Sequence, residues 1–372
     1  MNNIGVVGCG RLGICYAISF AKAGFKVNCY DINIEIITSL ENDTYNYNET
    51  GLNELIKKYK HNLILHKKLE LLIDNSKFIF SFIQTPSLDN GSYNHCYIEN
   101  FIDFLSDYKI KNDKIILINS TVMPEFCNNI QERLNKISNN YKLIYNPSFI
   151  AQGSIINNIT DPDFILLGYD NYQDINDNTL NNIIEIYNKI VNPNSSIIYN
   201  KMKLYEAEIT KLSINCFVTT KISFANSIGD IIKSKGYNPD TVLRAIGCDS
   251  RIGYKCLNYG YGYGGPCLPR DNKALNYYSK NNNYELTNCI SNDENNYKHL
   301  LFQFNELKNS KEPIEFHKIT YKDNSDIIEQ SQKLELAIML ANYKKKVIIY
   351  ERTYIINILK TKYGNLFEYR EI

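Results

Sequence analysis

The chain has 372 residues, enough for two or three domains with a sizeable buried core. Lys and Arg total 41 against 40 Asp and Glu, and this balance excludes broad electrostatic binding to nucleic acid or an anionic membrane. Ten cysteines sit at irregular spacings without a CxxC pair or a Cys/His cluster of zinc type, and no apolar run reaches the roughly 20 residues of a membrane span.

No secretory signal is visible, so the expectation is a cytoplasmic protein with reduced thiols and no metal site. Tyrosine is abundant at 30 residues, tryptophan is absent and asparagine is frequent. That bias reads first as codon usage and only second as chemistry.

Short apolar runs alternate with amphipathic stretches through the first half. Residues 3–7, 26–30, 78–83, 114–119 and 142–146 have strand length, and 12–24 has a helical pattern. Such alternation predicts a parallel sheet covered on both faces. From about residue 199 the pattern changes to one long helix over 203–236, of a kind that bridges domains or packs against a second subunit. The asparagine-rich segments 280–298 and 305–326 read as connections. A helix over 331–342 and a strand over 346–350 follow.

The first strand runs into "VVGCGRLG", which places Gly8, Gly10 and Gly13 at a strand-to-helix turn, with Arg11 and Leu12 between them. Glycines there allow a tight turn and close approach of a pyrophosphate to a helix N-terminus. The second strand ends on Asp31, at the interval where a carboxylate accepts ribose hydroxyls and repels a 2′-phosphate, which favours NAD over NADP. Thr85, Pro86, Ser120 and Thr121 follow the ends of later strands, on the ligand edge of such a sheet. Taken singly, each is ordinary turn chemistry.

Cys267 lies in "YGYGGPCLPRDN", a glycine-rich loop followed by Arg270 and Asp271. It reads equally as a small buried residue or as a nucleophile. Lys211 and Asn215 are four apart on the long helix and share a face, an arrangement that suits an oxyanion as well as a solvated helix surface.

In order along the chain stand "GCGRLG", Asp31, "TP" at 85–86, "STVMP" at 120–124, "NPSFIAQG" at 146–153, "AEITKLSIN" at 207–215, "RIG" at 251–253 and "GYGYGGPCLPRDN" at 260–272. Together they resemble the UDP-glucose/GDP-mannose dehydrogenase family, most closely its UDP-glucose 6-dehydrogenase branch, over roughly residues 1 to 300. The resemblance implies an NAD-dependent, four-electron oxidation of UDP-glucose to UDP-glucuronate through a thiohemiacetal and a thioester on Cys267. It further implies that Lys211 and Asn215 stabilise negative charge on the substrate oxygen, and that Asp271 and Thr121 hold the water used in acid–base steps. Gln152 and Arg270 fall with the NAD contacts. Phe149, Ile150, Tyr263 and Gly264 would line the sugar-nucleotide pocket, Arg251 would reach substrate across a subunit boundary, and Lys322 would hold the nucleotide. The glycines would let substrate and nicotinamide approach Cys267.

Ser148 replaces the family's glutamate in Asn-Pro-Glu-Phe, Gln152 replaces a second acidic residue, and Arg270 replaces the commoner lysine. In "TYKDNSDIIEQS" Lys322, Ser325 and Asp326 match the family's UDP-binding loop, with Glu329 where an arginine is usual. The expected architecture is α/β: a Rossmann NAD-binding domain over 1–195, a central helical domain with the long connecting helix and the cysteine over 196–298, and a reduced UDP-binding-like α/β domain over 299–372. A homodimer is expected. The alternatives are a dehydrogenase of another UDP- or GDP-hexose, or a sugar-nucleotide-binding protein impaired in turnover.

Overall fold

Eight strands form one sheet: β1 (Ile4–Val7), β2 (Val27–Tyr30), β3 (Leu63–His66), β4 (Phe78–Ser81), β5 (Lys114–Ile118), β6 (Tyr141–Tyr145), β7 (Phe164–Gly168) and β8 (Ile198–Met202). A computed structural model describes residues 3–372 apart from 46, 48, 109, 111, 139, 171–176 and 323–324. The sheet order is β3-β2-β1-β4-β5-β6-β7-β8, parallel throughout except between β6 and β7. All residues of β1, β4 and β5 are buried, the pattern of strands covered on both faces.

Period-two alternation divides the core. Ile4, Val6, Phe78, Phe80, Ile115 and Leu117 pack under the helix Arg11–Lys22. Val7, Ile79, Ile116 and Ile118 pack with the helices Cys96–Asp107 and Phe126–Ile137 on the other face. The chain reverses direction across the sheet between β1 and β4. The segments that leave the carboxyl ends of β1, β4, β5 and β6 are therefore gathered along one edge, where open α/β sheets bind ligands.

The chain divides into two compact units, Met1–Lys211 and Leu212–Ile372. The long helix, Leu204–Ser234, begins in the first and ends in the second. It stops just before Gly236, which takes a φ of +78°. The second unit also holds a three-stranded parallel sheet of order β11-β10-β9: β9 (Ile314–His317), β10 (Val347–Glu351) and β11 (Glu368–Glu371). Ile314, Phe316, Val347 and Ile349 meet Leu336, Leu340, Ile355 and Leu359 in its core.

One expectation fails here. Residues 287–307 are a helix, not a connection, and β9 lies within 305–326. The buried face of that helix is Cys289, Asn292, Asn296, His299 and Leu300, at helical spacing but mostly polar. A search for apolar periodicity passes over such a face because hydrogen bonds, not hydrocarbon, hold it.

Candidate active site

The turn after β1 is built from its glycines. Gly8 has φ +88°, and a Cβ at Gly13 would sit 1.8 Å from the Gly8 carbonyl oxygen, so helix and strand can approach only without one. A Cβ at Gly10 would meet nothing within 4 Å, leaving open space at the N-terminus of Arg11–Lys22, where no side chain caps the helix. Asp31 is buried and accepts the Cys9 N–H at 2.7 Å and the Asn33 N–H at 2.8 Å, which fixes its carboxylate at the end of β2. The Arg11 guanidinium lies 5.6 Å from the Tyr47 ring, and the Tyr45 hydroxyl donates to the Cys9 carbonyl at 3.0 Å.

The loops after β4 and β5 are tied together. Thr85 donates to the Thr121 carbonyl at 2.7 Å, and Ser120 donates to the Ile83 carbonyl. Pro86 follows on the same loop, its carbonyl accepting the Asn94 N–H at 2.8 Å. After β6, Lys211 donates to the Ser148 carbonyl at 2.9 Å while its ammonium stands 4.6 Å from the Phe149 ring. Ser148 donates from its side chain to the Tyr16 hydroxyl at 3.1 Å, and burial pushes Tyr16 up to about 12. Ile150 packs against the first core cluster, and the buried Oε1 of Gln152 has no hydrogen-bond partner among the described residues.

In the second unit Cys267 is exposed and stands at the N-cap of the helix Leu268–Asn281, a position that in general favours a thiolate. One turn on, Asp271 is buried. It accepts the Asn215 amide at 2.6 Å, and Arg270 approaches its other oxygen at 3.4 Å. Tyr263 is also buried, its hydroxyl donating to Asp293 and its backbone gripped at both ends by Asn296, at 2.9 and 3.0 Å. Arg251 is exposed and pairs with Asp249 at 2.7 Å. Lys322 is exposed, and its carbonyl accepts the Ser325 N–H at 2.9 Å.

Residues 2–191 match the family model for the UDP-glucose/GDP-mannose dehydrogenase family, NAD binding domain, and residues 205–298 match its central domain. The chain belongs to the UDP-glucose/GDP-mannose dehydrogenase family. It is an NAD-dependent nucleotide-sugar dehydrogenase. It is 28% identical over 352 residues to a UDP-glucose 6-dehydrogenase of Rickettsia felis, covering 91% of this chain and 76% of that protein. Its fold is shared with a UDP-glucose dehydrogenase of Pyrobaculum islandicum (TM-score 0.87, 23% identity, 100% of this chain and 86% of that one). It is also shared with a UDP-D-ManNAc dehydrogenase of Pyrococcus horikoshii (TM-score 0.77, 21% identity, 94% and 83%).

The first unit of this dehydrogenase fits NAD on its own geometry: an open helix N-terminus above Gly10 for the pyrophosphate and a fixed carboxylate at Asp31 for ribose hydroxyls. The structure brings Gly8, Gly10, Arg11, Leu12, Gly13 and Asp31 to one turn. It joins Thr85 to Thr121 and Lys211 to the Ser148–Phe149 loop. In the second unit it joins Asn215, Arg270 and Asp271 behind Cys267. Arg251 pairs instead with its chain neighbour Asp249.

The glycine loop also has a packing role. A Cβ at Gly264 would stand 2.1 Å from the Gln330 carbonyl oxygen, and one at Gly262 2.2 Å from Asn296 Oδ1. These two glycines are required by packing inside the unit. Gly260 alone has open space.

Sequence reasoning missed two buried carboxylates in the first unit. Glu49 accepts the Gly153 and Ile155 N–H groups at 2.9 and 2.8 Å. Glu208 accepts the Glu125 and Cys127 N–H groups, both at 2.7 Å. A signal existed for Glu208 alone: it lies between Leu204 and Leu212 on one buried stripe of the long helix, where a charge is out of place.

Proposed function

We propose that this nucleotide-sugar dehydrogenase oxidises the primary alcohol of UDP-glucose to the carboxylate of UDP-glucuronate, with Cys267 as the covalent nucleophile. The observation that carries the reading is the exposed Cys267 at a helix N-terminus, one turn ahead of the buried Asp271, which the half-buried Asn215 holds by its amide. NAD, held by the glycine turn over residues 8–13 and by Asp31, would supply the hydride acceptor for both oxidations. The sum is R–CH2OH + 2 NAD⁺ + H2O → R–COO⁻ + 2 NADH + 3 H⁺.

The work of the chain's own residues follows from their chemistry. Lys211 and Asn215, one helical turn apart, supply an ammonium and an amide to negative charge developing on the substrate oxygen. After the first oxidation the Cys267 sulfur adds to the aldehyde carbon, forming the C–S bond of a thiohemiacetal. The second oxidation converts it to a thioester, and water then breaks the C–S bond and returns the thiolate. Asp271 takes a proton from that water. Ser148 cannot titrate in place of a carboxylate, so Asp271, with Thr121, carries the acid–base work in this reading. Phe149, Ile150, Tyr263, Gly264, Arg251 and Lys322 are the proposed sugar-nucleotide contacts, and Gln152 and Arg270 the proposed outer contacts of NAD.

UDP-glucose is preferred because the named relative at 28% identity is a UDP-glucose 6-dehydrogenase. The solved structures share the fold across enzymes named for different sugars, so the fold does not choose the sugar. A homodimer in the cytoplasm is part of the same reading. Phe217, Phe224 and Ile231 are exposed at seven-residue intervals along the long helix, a line of large apolar side chains that a second copy would cover. A monomer mass in solution at micromolar concentration would refute the dimer.

The deciding experiment counts NADH per active site over time with NAD and UDP-glucose, beside UDP-hexosamines and GDP-mannose. Steady turnover at two NADH per UDP-glucose is expected. A burst ending near two NADH per site would mean that Ser148 leaves the thioester unhydrolysed. No NADH with UDP-glucose, and turnover with another sugar, would overturn the substrate.

A further inference from the structure

The mechanism makes no use of Glu208, yet this carboxylate is fully buried in the first unit. Both its oxygens are committed to backbone: Oε2 takes the Glu125 N–H and Oε1 the Cys127 N–H, each at 2.7 Å. Those donors belong to the first turn of the helix Phe126–Ile137, which has no side-chain cap of its own. Its N-cap residue, Glu125, takes φ +73°, a region few non-glycine side chains occupy. The helix is thus capped from 83 residues away, and the capping group fixes the end of the loop that carries Ser120 and Thr121.

One turn beyond Glu208 on the long helix Leu204–Ser234, Lys211 holds the Ser148 carbonyl. The first two turns of the long helix therefore grip two loops, the one after β5 through Glu208 and the one after β6 through Lys211. We propose that Glu208 is a positioning residue for dinucleotide binding, holding the Ser120–Thr121 loop in register with Lys211 and the Ser148–Phe149 loop.

A purely structural role is a poor account of this group. Burial pushes the Glu208 carboxyl up to about 7, against the pull of the backbone donors, and the nearby Glu125 charge pushes the same way. The other titratable neighbour is the Cys127 thiol, itself raised by burial and by Glu208. A neutral side chain would suit the fold better. The carboxylate, however, is the one side-chain group that offers two equivalent acceptors to two parallel N–H groups.

The test compares Glu208→Gln and Glu208→Asp with the unaltered enzyme. Glutamine keeps one acceptor and turns an NH2 toward the other N–H. KM for NAD is expected to rise about tenfold, the scale of one lost hydrogen bond to a charged group, with KM for the nucleotide sugar unchanged. Amide exchange should quicken at Glu125 and Cys127, and aspartate should recover part of both effects. Unchanged NAD KM together with unchanged exchange at 125 and 127 would overturn the proposal. So would a lowered melting temperature with both KM values moving equally. The proposal rests on the reading that Thr121 borders the dinucleotide, which Thr121→Val tests separately. If that variant binds NAD normally the reading of Thr121 falls, while amide exchange at 125 and 127 still decides whether Glu208 holds the loop.

Discussion

The two units hold their functional loops by different chemistry. In the first, buried carboxylates accept pairs of backbone N–H groups from distant segments: Glu49 for 153 and 155, Glu208 for 125 and 127. In the second, amides and an imidazole hold the glycine loop: Asn226 and His299 at residue 260, Asn296 at both ends of Tyr263. Asn272 and Asn292 instead tie helix to helix, bonding to Asp293, to the Cys289 carbonyl and to Thr219 and Thr220.

The difference follows from what each loop presents. A helix or turn N-terminus offers several N–H donors in parallel, and an anion answers them. An irregular loop offers N–H and C=O alternately, and an amide, which both gives and accepts, answers both where a carboxylate cannot. At these positions the asparagine excess is therefore structural, not codon usage alone.

If that contrast is right, the second unit's amides should divide into chemical and supporting ones. Asn215→Ala removes a donor aimed at Asp271 and, in the proposed mechanism, at the reacting oxygen. Its kcat should fall about 10²–10³-fold with the fold intact. A loss below tenfold would reassign Asn215 to the supporting set.

The carboxylate side of the contrast is sharpened by pH. The folded-state value of Glu208 is raised from 4.5 to about 7, so its stabilising contribution is present below pH 4.5 and lost as pH rises through 7. Glu208→Gln should therefore gain stability relative to the native protein between pH 5 and 8, by up to about 3 kcal/mol across the window. Denaturant midpoints at three pH values would show it. A difference that does not vary with pH would mean that the carboxyl titrates normally.

The amide-held loop should tolerate no Cβ at its inner glycines. Gly264→Ala would press on the Gln330 carbonyl and cost about 1–3 kcal/mol, read as a lower melting temperature. Gly260→Ala, facing open space, should be nearly silent. Equal effects at the two positions would refute the packing account.

Much of the first unit was legible in the sequence because its signals are local. Strand, glycine turn and terminal aspartate lie within 31 residues, and period-two burial in a parallel sheet writes itself as continuous apolar runs. The order of motifs from Gly8 to Asp271 likewise marked the family. The helix over 287–307 was not legible, because its buried face satisfies itself with hydrogen bonds to the long helix and to a loop that the sequence does not place beside it. Glu49 was hidden for the same reason, its N–H donors lying 104 and 106 residues away, and for Glu208 the apolar stripe of the long helix marked its burial but not the groups it accepts.

By itself the sequence determined the α/β class, the dinucleotide turn and the candidate nucleophile, since each depends on residue type at short spacing. Only the tertiary structure decided which glycines serve packing, which asparagines hold backbone and which acid caps a distant helix. Those roles are set by partners far along the chain, and hydrogen bonds take their direction from the partner.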